Sequence, residues 1–372
     1  MLRFIQRRLL FAVPQVIAVT VVSFLMVRLL PGDPAYQLAG PYATEKTRQA
    51  MTARLGLDRS LWDQYLSYVH DILRGDLGQS WFTARPVTHE LLVRLPATLE
   101  LISSSMIIIV IGGVLLGLAV AVKGGWIERA ATLYGRLAGA FPDFWLGLSL
   151  YYVFFFCLGW LPGPIGRLPV EMSPPQAVTG FYTVDSLLAG NIPLFFAALK
   201  QMILPVATLV IVYMSGVSKM AGATIGEMLR GDMAQYARLC GLPEGKVLRC
   251  ALHNSLPPIV ALIGLTYGFL LGGVVLVETV FSWGGIGQYV VASIGRADYF
   301  PVQGFILVAA ILNIIAYSTR RPVHAVSIAI HGPISGGFCA TNTKDKIDDD
   351  CHVDDQDRHP GDCNAPRDLI KL

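Results

Sequence analysis

Six apolar runs punctuate the chain, near residues 9–30, 98–122, 131–159, 198–221, 257–280 and 302–317. Most reach the roughly 20 residues that carry a helix across the hydrocarbon of a bilayer. No water is available there, so a spanning helix must satisfy its backbone N–H and C=O groups within itself. Composition agrees: 53% of residues are hydrophobic and 15% charged, whereas soluble domains carry about 25% charged residues. The expected fold is all-α, a polytopic membrane protein with about six transmembrane helices. The net charge of +3 is small, and no basic run interleaved with aromatics points to nucleic acid.

The first run follows Arg3, Arg7 and Arg8 and leads into "LPGDP". It is longer than the 7–15 residue core of a secretory signal, and no small-residue cleavage site follows. The reading is an uncleaved membrane helix. Those arginines place the N-terminus in the cytoplasm by the positive-inside rule. Alternation then puts 31–97, 160–197 and 281–301 outside and 123–130 and 222–256 inside. Lys123 and Arg129 fall in one inner loop; Arg230, Arg238, Lys246 and Arg249 fall in the other. Outside, residues 44–74 repeat apolar positions at helical spacing (Leu61, Tyr65, Tyr68, Ile72), Trp62, Trp81 and Phe82 suit the membrane interface, and 160–180 is an irregular Pro/Gly-rich loop.

The inner loop 222–256 is about 35 residues long, whereas helix–helix connections usually take two to eight. Its first helix, in "RGDMAQYARLC", is expected to stop at Gly241, because glycine takes the left-handed conformation cheaply just past a helix end. Pro243 then suits the first turn of a second short helix, and Glu244 favours its positive end. Val247, Leu248, Ala251 and Leu252 share one face, with Lys246 and Arg249 towards the other. Pro257 and Pro258 are expected to end that element. A short amphipathic helix of this kind suits a partner's groove.

The segment "YARLCGLPEGKVLRCALHNSLPPI" resembles the cytoplasmic coupling loop of permease subunits in bacterial ATP-binding-cassette importers. The flanks resemble the dipeptide/oligopeptide branch, which also includes nickel importers: "LPGDP" at 30–34, "LGLDRSLWDQYLSYVHDILRGDLGQSW" at 55–81, "RLPATLEL" at 94–101, "FPDFWLGL" at 141–148 and "ETVFSWGGIGQYVVASIGRADYFPVQG" at 278–304. The likeness runs from about 1 to 317. It implies six membrane helices and an element at 229–257 that docks on a separate ATPase. The residues it assigns to coupling are Tyr236, Ala237, Gly241, Leu242, Val247, Leu248, Ala251 and Leu252. It further implies a second homologous permease, two ATPase subunits, an extracytoplasmic binding protein and a di- or oligopeptide substrate moved by alternating access, nickel being the other cargo of the branch. Gln235 stands where many members of the wider superfamily carry Glu.

The chain has no G-x-x-x-x-G-K-[ST] phosphate loop; "GLPEGKV" lacks the spacing and the hydroxyl that holds magnesium. No H-E-x-x-H or G-x-S-x-G motif occurs, so no catalytic residue, cofactor or metal ligand is assigned and the chain is not read as an enzyme. Arg28, Glu100, Asp143, Lys200 and Glu278 fall near helix ends and are assigned structural roles. Asn313 is expected to bond to a neighbouring helix. Gly112, Gly113, Gly117, Gly272 and Gly273 should let helices approach closely. A stand-alone ion-coupled carrier or channel, and a non-transporting scaffold, remain rivals from other classes. The carrier would be expected to hold ionisable groups at the membrane midplane.

The last apolar run stops at Tyr317, and "STRRPVHAV" follows. Residues 1–317 are read as the permease domain. The tail 318–372 holds nine Asp and no Glu, with Cys339, Cys351, Cys363 and four of the seven histidines. Its cysteines lack C-x-x-C spacing for zinc, and its composition suits disorder. Loss of the apolar pattern inside a membrane helix suggests a shifted reading frame or a rearranged gene end from about 318.

Overall fold

The structure, a computed structural model, describes residues 2–29, 43–54 and 58–331. Apart from an isolated bridge between Gln79 and Pro86, the secondary structure of these residues is helical. The helices are α1 (Leu2–Leu29), α2 (Glu45–Arg54), α3 (Leu61–Leu73), α4 (Val87–Lys123), α5 (Gly125–Ala138), α6 (Asp143–Tyr151, continued as a π-helical turn over Tyr152–Cys157), α7 (Tyr182–Leu188), α8 (Ile192–Arg230), α9 (Asp232–Leu239), α10 (Glu244–Val280), α11 (Ile286–Gly295) and α12 (Tyr299–His331). Residues 1–322 form one compact unit, and a second begins at Val323. Residues 332–372, most of the tail set apart above, lie outside the described residues.

Helices α4, α8 and α10 and the Tyr299–Ala316 part of α12 are each long and apolar enough to cross a membrane. The described apolar part of α1 runs from Val13 to Met26. The run expected as one helix over 131–159 is instead two helices, α5 and α6, bent by 100°. Pro142 causes the break. Its ring forces the preceding residue out of the α region, and Pro142 itself is extended (φ −62°, ψ 146°) as the cap of α6.

Glycines set the packing of α4 against α8. Gly113 and Gly117 of α4 face Val217 and Ala221 of α8. A β-carbon at Gly117 would stand 2.6 Å from the Ala221 β-carbon and 2.7 Å from the Gly222 nitrogen, so only glycine permits this approach. Both pairs advance in the same sense, so α4 and α8 run parallel and the chain between them must return across the bundle. The bent pair makes that return. Tyr134 Oη donates to the Ile211 carbonyl at 2.6 Å, Tyr213 Oη donates to Asp143 Oδ2 at 2.9 Å, and Gly147 lies against Thr208 and Phe281. Within the irregular stretch 158–181, Arg167 arrives at Glu100, near the start of α4. Gly112 faces Met214, and Gly273 faces Tyr213 and Asp143, as close packing requires, but Gly272 has open space beside it.

Two expectations need correction. Pro257 and Pro258 do not end a short helix: α10 runs through them from Glu244 to Val280. Buried Val247, Ala251, Ser255 and Ile259 keep one packed face on both sides of the prolines, and membrane proteins accept such helix interiors when neighbouring groups compensate. Among the described residues, Asn313 makes no hydrogen bond to another helix. Its Nδ2 donates to the Ala309 carbonyl one turn back, at 3.0 Å.

Candidate functional site: the turn at Gly241 and its partner surface

Helix α9 closes as the sequence rules require. Gly241 takes φ +73°. Its N–H donates to the Arg238 carbonyl at 3.0 Å, and the Leu242 N–H donates to the Ala237 carbonyl at 3.1 Å. These are the paired bonds of a Schellman motif, with Leu242 packed back on the helix as that motif prefers. Pro243 caps α10 in an extended conformation (φ −63°, ψ 144°). Across the turn, Arg238 Nε donates to Glu244 Oε1 at 2.8 Å, and Arg238 Nη1 donates to the Leu229 carbonyl at 3.1 Å. The bond to Glu244 strengthens the hold of Arg238 on its proton.

The residues assigned to coupling divide into two sets. Ala237, Val247 and Ala251 are buried within the chain itself: Ala234, Ala237 and Val247 form a small core with Leu229 and Leu242 around it. Leu252 is half-buried on Ala221, Ile225 and Ile259, and Leu248 is also half-buried. The face shared by Val247, Leu248, Ala251 and Leu252 is therefore largely the element's own packing face. Of the remaining assigned residues, Tyr236 and Gly241 are exposed. Sequence reasoning missed the neighbours of Tyr236. Met233, Tyr236 and Leu239 are 41%, 63% and 86% exposed, and their spacing of three puts them on one side of α9. Three large apolar side chains in a row on a short helix were the available signal.

With this geometry established, the chain can be compared with known proteins. The profile described as binding-protein-dependent transport system inner membrane component matches residues 113–321, and the profile for its N-terminal part matches 1–102. The chain belongs to this family. As a member, it is 41% identical over 297 residues to the probable D,D-dipeptide transport system permease protein of Escherichia coli (strain K12), covering 79% of this chain and 87% of that one. It is 39% identical over 318 residues to the di/tripeptide transport system permease protein of Pseudomonas aeruginosa (strain UCBPP-PA14), covering 85% and 94%. The dipeptide transport system permease protein of Escherichia coli (strain K12) is 36% identical over 321 residues, covering 85% and 94%. The likeness to importer permeases of the dipeptide/oligopeptide branch is borne out, and the inner membrane component is a multi-pass helical protein.

Away from the Gly241 turn, buried carboxylates of this permease component sit in hydrogen-bond networks. Glu100, 2% exposed, is ion-paired with Arg167 and accepts from the Thr183 N–H and hydroxyl at 2.8 and 2.7 Å. Arg167 also donates to the Gly180 carbonyl and lies over the Tyr182 ring. Glu278 accepts from the Thr98 hydroxyl at 2.5 Å and from the Gln288 N–H at 3.1 Å, which caps the start of α11. Trp283 Nε1 donates to the Ala97 carbonyl at 2.9 Å. Asp185 accepts the N–H groups of Val178, Thr179 and Gly180 and the Thr179 hydroxyl. Burial pushes its pKa up, but these four hydrogen bonds outweigh that and hold it below the usual carboxylate value. Glu100, Asp143 and Glu278 thus serve structural networks. Lys200 is exposed, and the Arg28 side chain lies outside the described residues.

Proposed function

We propose that the chain is one permease subunit of an ATP-driven peptide importer, with its N-terminus in the cytoplasm, and that α9 and the first turn of α10 form its contact with an ATPase subunit. The observation that carries this reading is the stripe Met233–Tyr236–Leu239, exposed on a helix whose opposite side is packed into the protein and whose end is fixed by the Gly241 turn. Exposed apolar rows of this kind mark protein contacts. A second, homologous permease completes the path, two ATPase subunits drive it, and an extracytoplasmic binding protein delivers the substrate. The family description names a binding protein, and the relatives are named for dipeptides and tripeptides, so the substrate is a short peptide. Closure of the ATPases moves α9. Because α10 continues unbroken from Glu244 into the membrane, that movement tilts the bundle and alternates access. The region beyond 318 is a shifted or rearranged end, which translation of the coding DNA in its other frames tests.

Leu239→Asp tests the contact. Leu239 is 86% exposed, so the change should alter stability by about 0.5 kcal/mol or less. The ATPase subunit should no longer co-purify, and peptide-stimulated ATP hydrolysis should fall at least about tenfold, the loss of one central apolar contact. Unchanged co-purification and hydrolysis would sink the assignment.

A further inference from the structure

At the end of the bundle opposite Gly241, a cavity of about 370 Å³ lies between the turn at Ser80–Thr83 and one side of α11. Its size suits a small molecule. Arg94 and Arg296 both line it, together with Tyr289, Thr83, Gln288 and Ser80, and no acidic side chain does so. Each guanidinium is seated on an aromatic ring: Arg296 at 3.5 Å from the Phe82 centroid, Arg94 at 4.8 Å from that of Tyr289. Arg94 is paired with Glu90 at 2.8 Å. Arg296 has no carboxylate within ion-pair distance among the described residues. Tyr289 is 8% exposed with its hydroxyl beside the Ser80 hydroxyl, and the buried Thr83 hydroxyl has no hydrogen-bond partner among the described residues. The adjacent Ser80 hydroxyl is committed to Asp298 Oδ2 at 2.5 Å.

Buried hydroxyls are nearly always satisfied. An orphaned Thr83 donor and a guanidinium with no described ion-pair partner, lining one cavity with Tyr289, therefore point to an acceptor-rich anion. A carboxylate offers two oxygens with several lone pairs and takes an arginine fork side-on. We propose that this cavity binds the terminal carboxylate of the transported peptide, with Arg296 supplying the charge and Tyr289 and Thr83 the hydroxyl donors. This rests on the peptide-importer reading and adds to it a position for one end of the substrate.

The assembled permease–ATPase complex in lipid nanodiscs, without binding protein, is titrated calorimetrically with dialanine and with dialanine amide. The free acid should bind about tenfold or more tightly than the amide, as loss of a charge-assisted bond predicts. Arg296→Gln should erase that preference, and Tyr289→Phe should reduce it severalfold. Equal binding of acid and amide overturns the proposal, as does a preference that survives Arg296→Gln. If Arg296→Gln instead weakens only docking of the substrate-free binding protein, the cavity serves a protein contact and the proposal also falls. ATP-driven dialanine uptake by wild-type vesicles is measured separately. Its absence rejects the importer reading, whereas the acid–amide comparison alone decides the cavity.

Discussion

The two ends of this bundle are built by different means. Around Glu100, Asp185 and Glu278, carboxylates of 2%, 1% and 0% exposure each accept several hydrogen bonds, Glu100 and Glu278 from residues distant in the chain and Asp185 from the loop just before its own helix. Around Gly241 the structure rests on small apolar residues (Ala234, Ala237, Val247), two backbone bonds of a helix cap and one exposed ion pair. Surface ion pairs contribute little, whereas removing one partner of a buried pair is severe. One end is thus braced against rearrangement from within, and the other leaves large side chains pointing outward and holds its shape with small ones.

The sharpest way to break this contrast is Arg167→Met. It leaves Glu100 buried without its cation and should cost about 3–5 kcal/mol, read as a lower midpoint of denaturation in detergent micelles. A loss below 1 kcal/mol would mean that the bracing is nominal. Gly241→Val comes next. Nothing lies within 4 Å of a β-carbon there, so the cost is backbone strain alone, about 1–2 kcal/mol for a side chain at positive φ. Insertion and global unfolding should change little, while uptake should uncouple from ATP hydrolysis. Normal uptake would show that the turn's shape is irrelevant.

The smallest effect is at Asp185. Its folded pKa lies below the unfolded 3.8. The stabilisation is therefore fully present above pH 3.8 and is lost as pH falls through the depressed value. Amide exchange at Val178, Thr179 and Gly180 should stay slow at pH 6 and quicken only in acid below that range. Asp185→Asn should already quicken it at pH 6, by about 1 kcal/mol of lost protection. Equal exchange in both proteins would remove Asp185 from the brace.

Much of this was readable in the residues. Apolar length marked the membrane helices, and Gly241 with Pro243 marked a stop and a start, because those residues act through their own backbones. The bend at Pro142 was hidden because apolar composition on both sides looks continuous. The opposite error occurred at Pro257: the rule that proline ends a helix is local, while the buried face through Ser255 and Ile259 is set by α8 and α4. The residues assigned to coupling divide into buried and exposed sets for a related reason. An apolar stripe records that a face is covered, and it does not record whether the cover is Leu229 of the same chain or a different protein.

The two prolines inside α10 also have a mechanical consequence. Proline has no N–H to donate, so the helical ladder of α10 lacks the two donors of residues 257 and 258. Between the Gly241 turn and Glu278 the helix has roughly 50 Å of length, and the two missing donors fall about a third of the way along. Pro257 and Pro258 thus mark the place where α10 has the least backbone reinforcement between the inner turn and the buried Glu278 network.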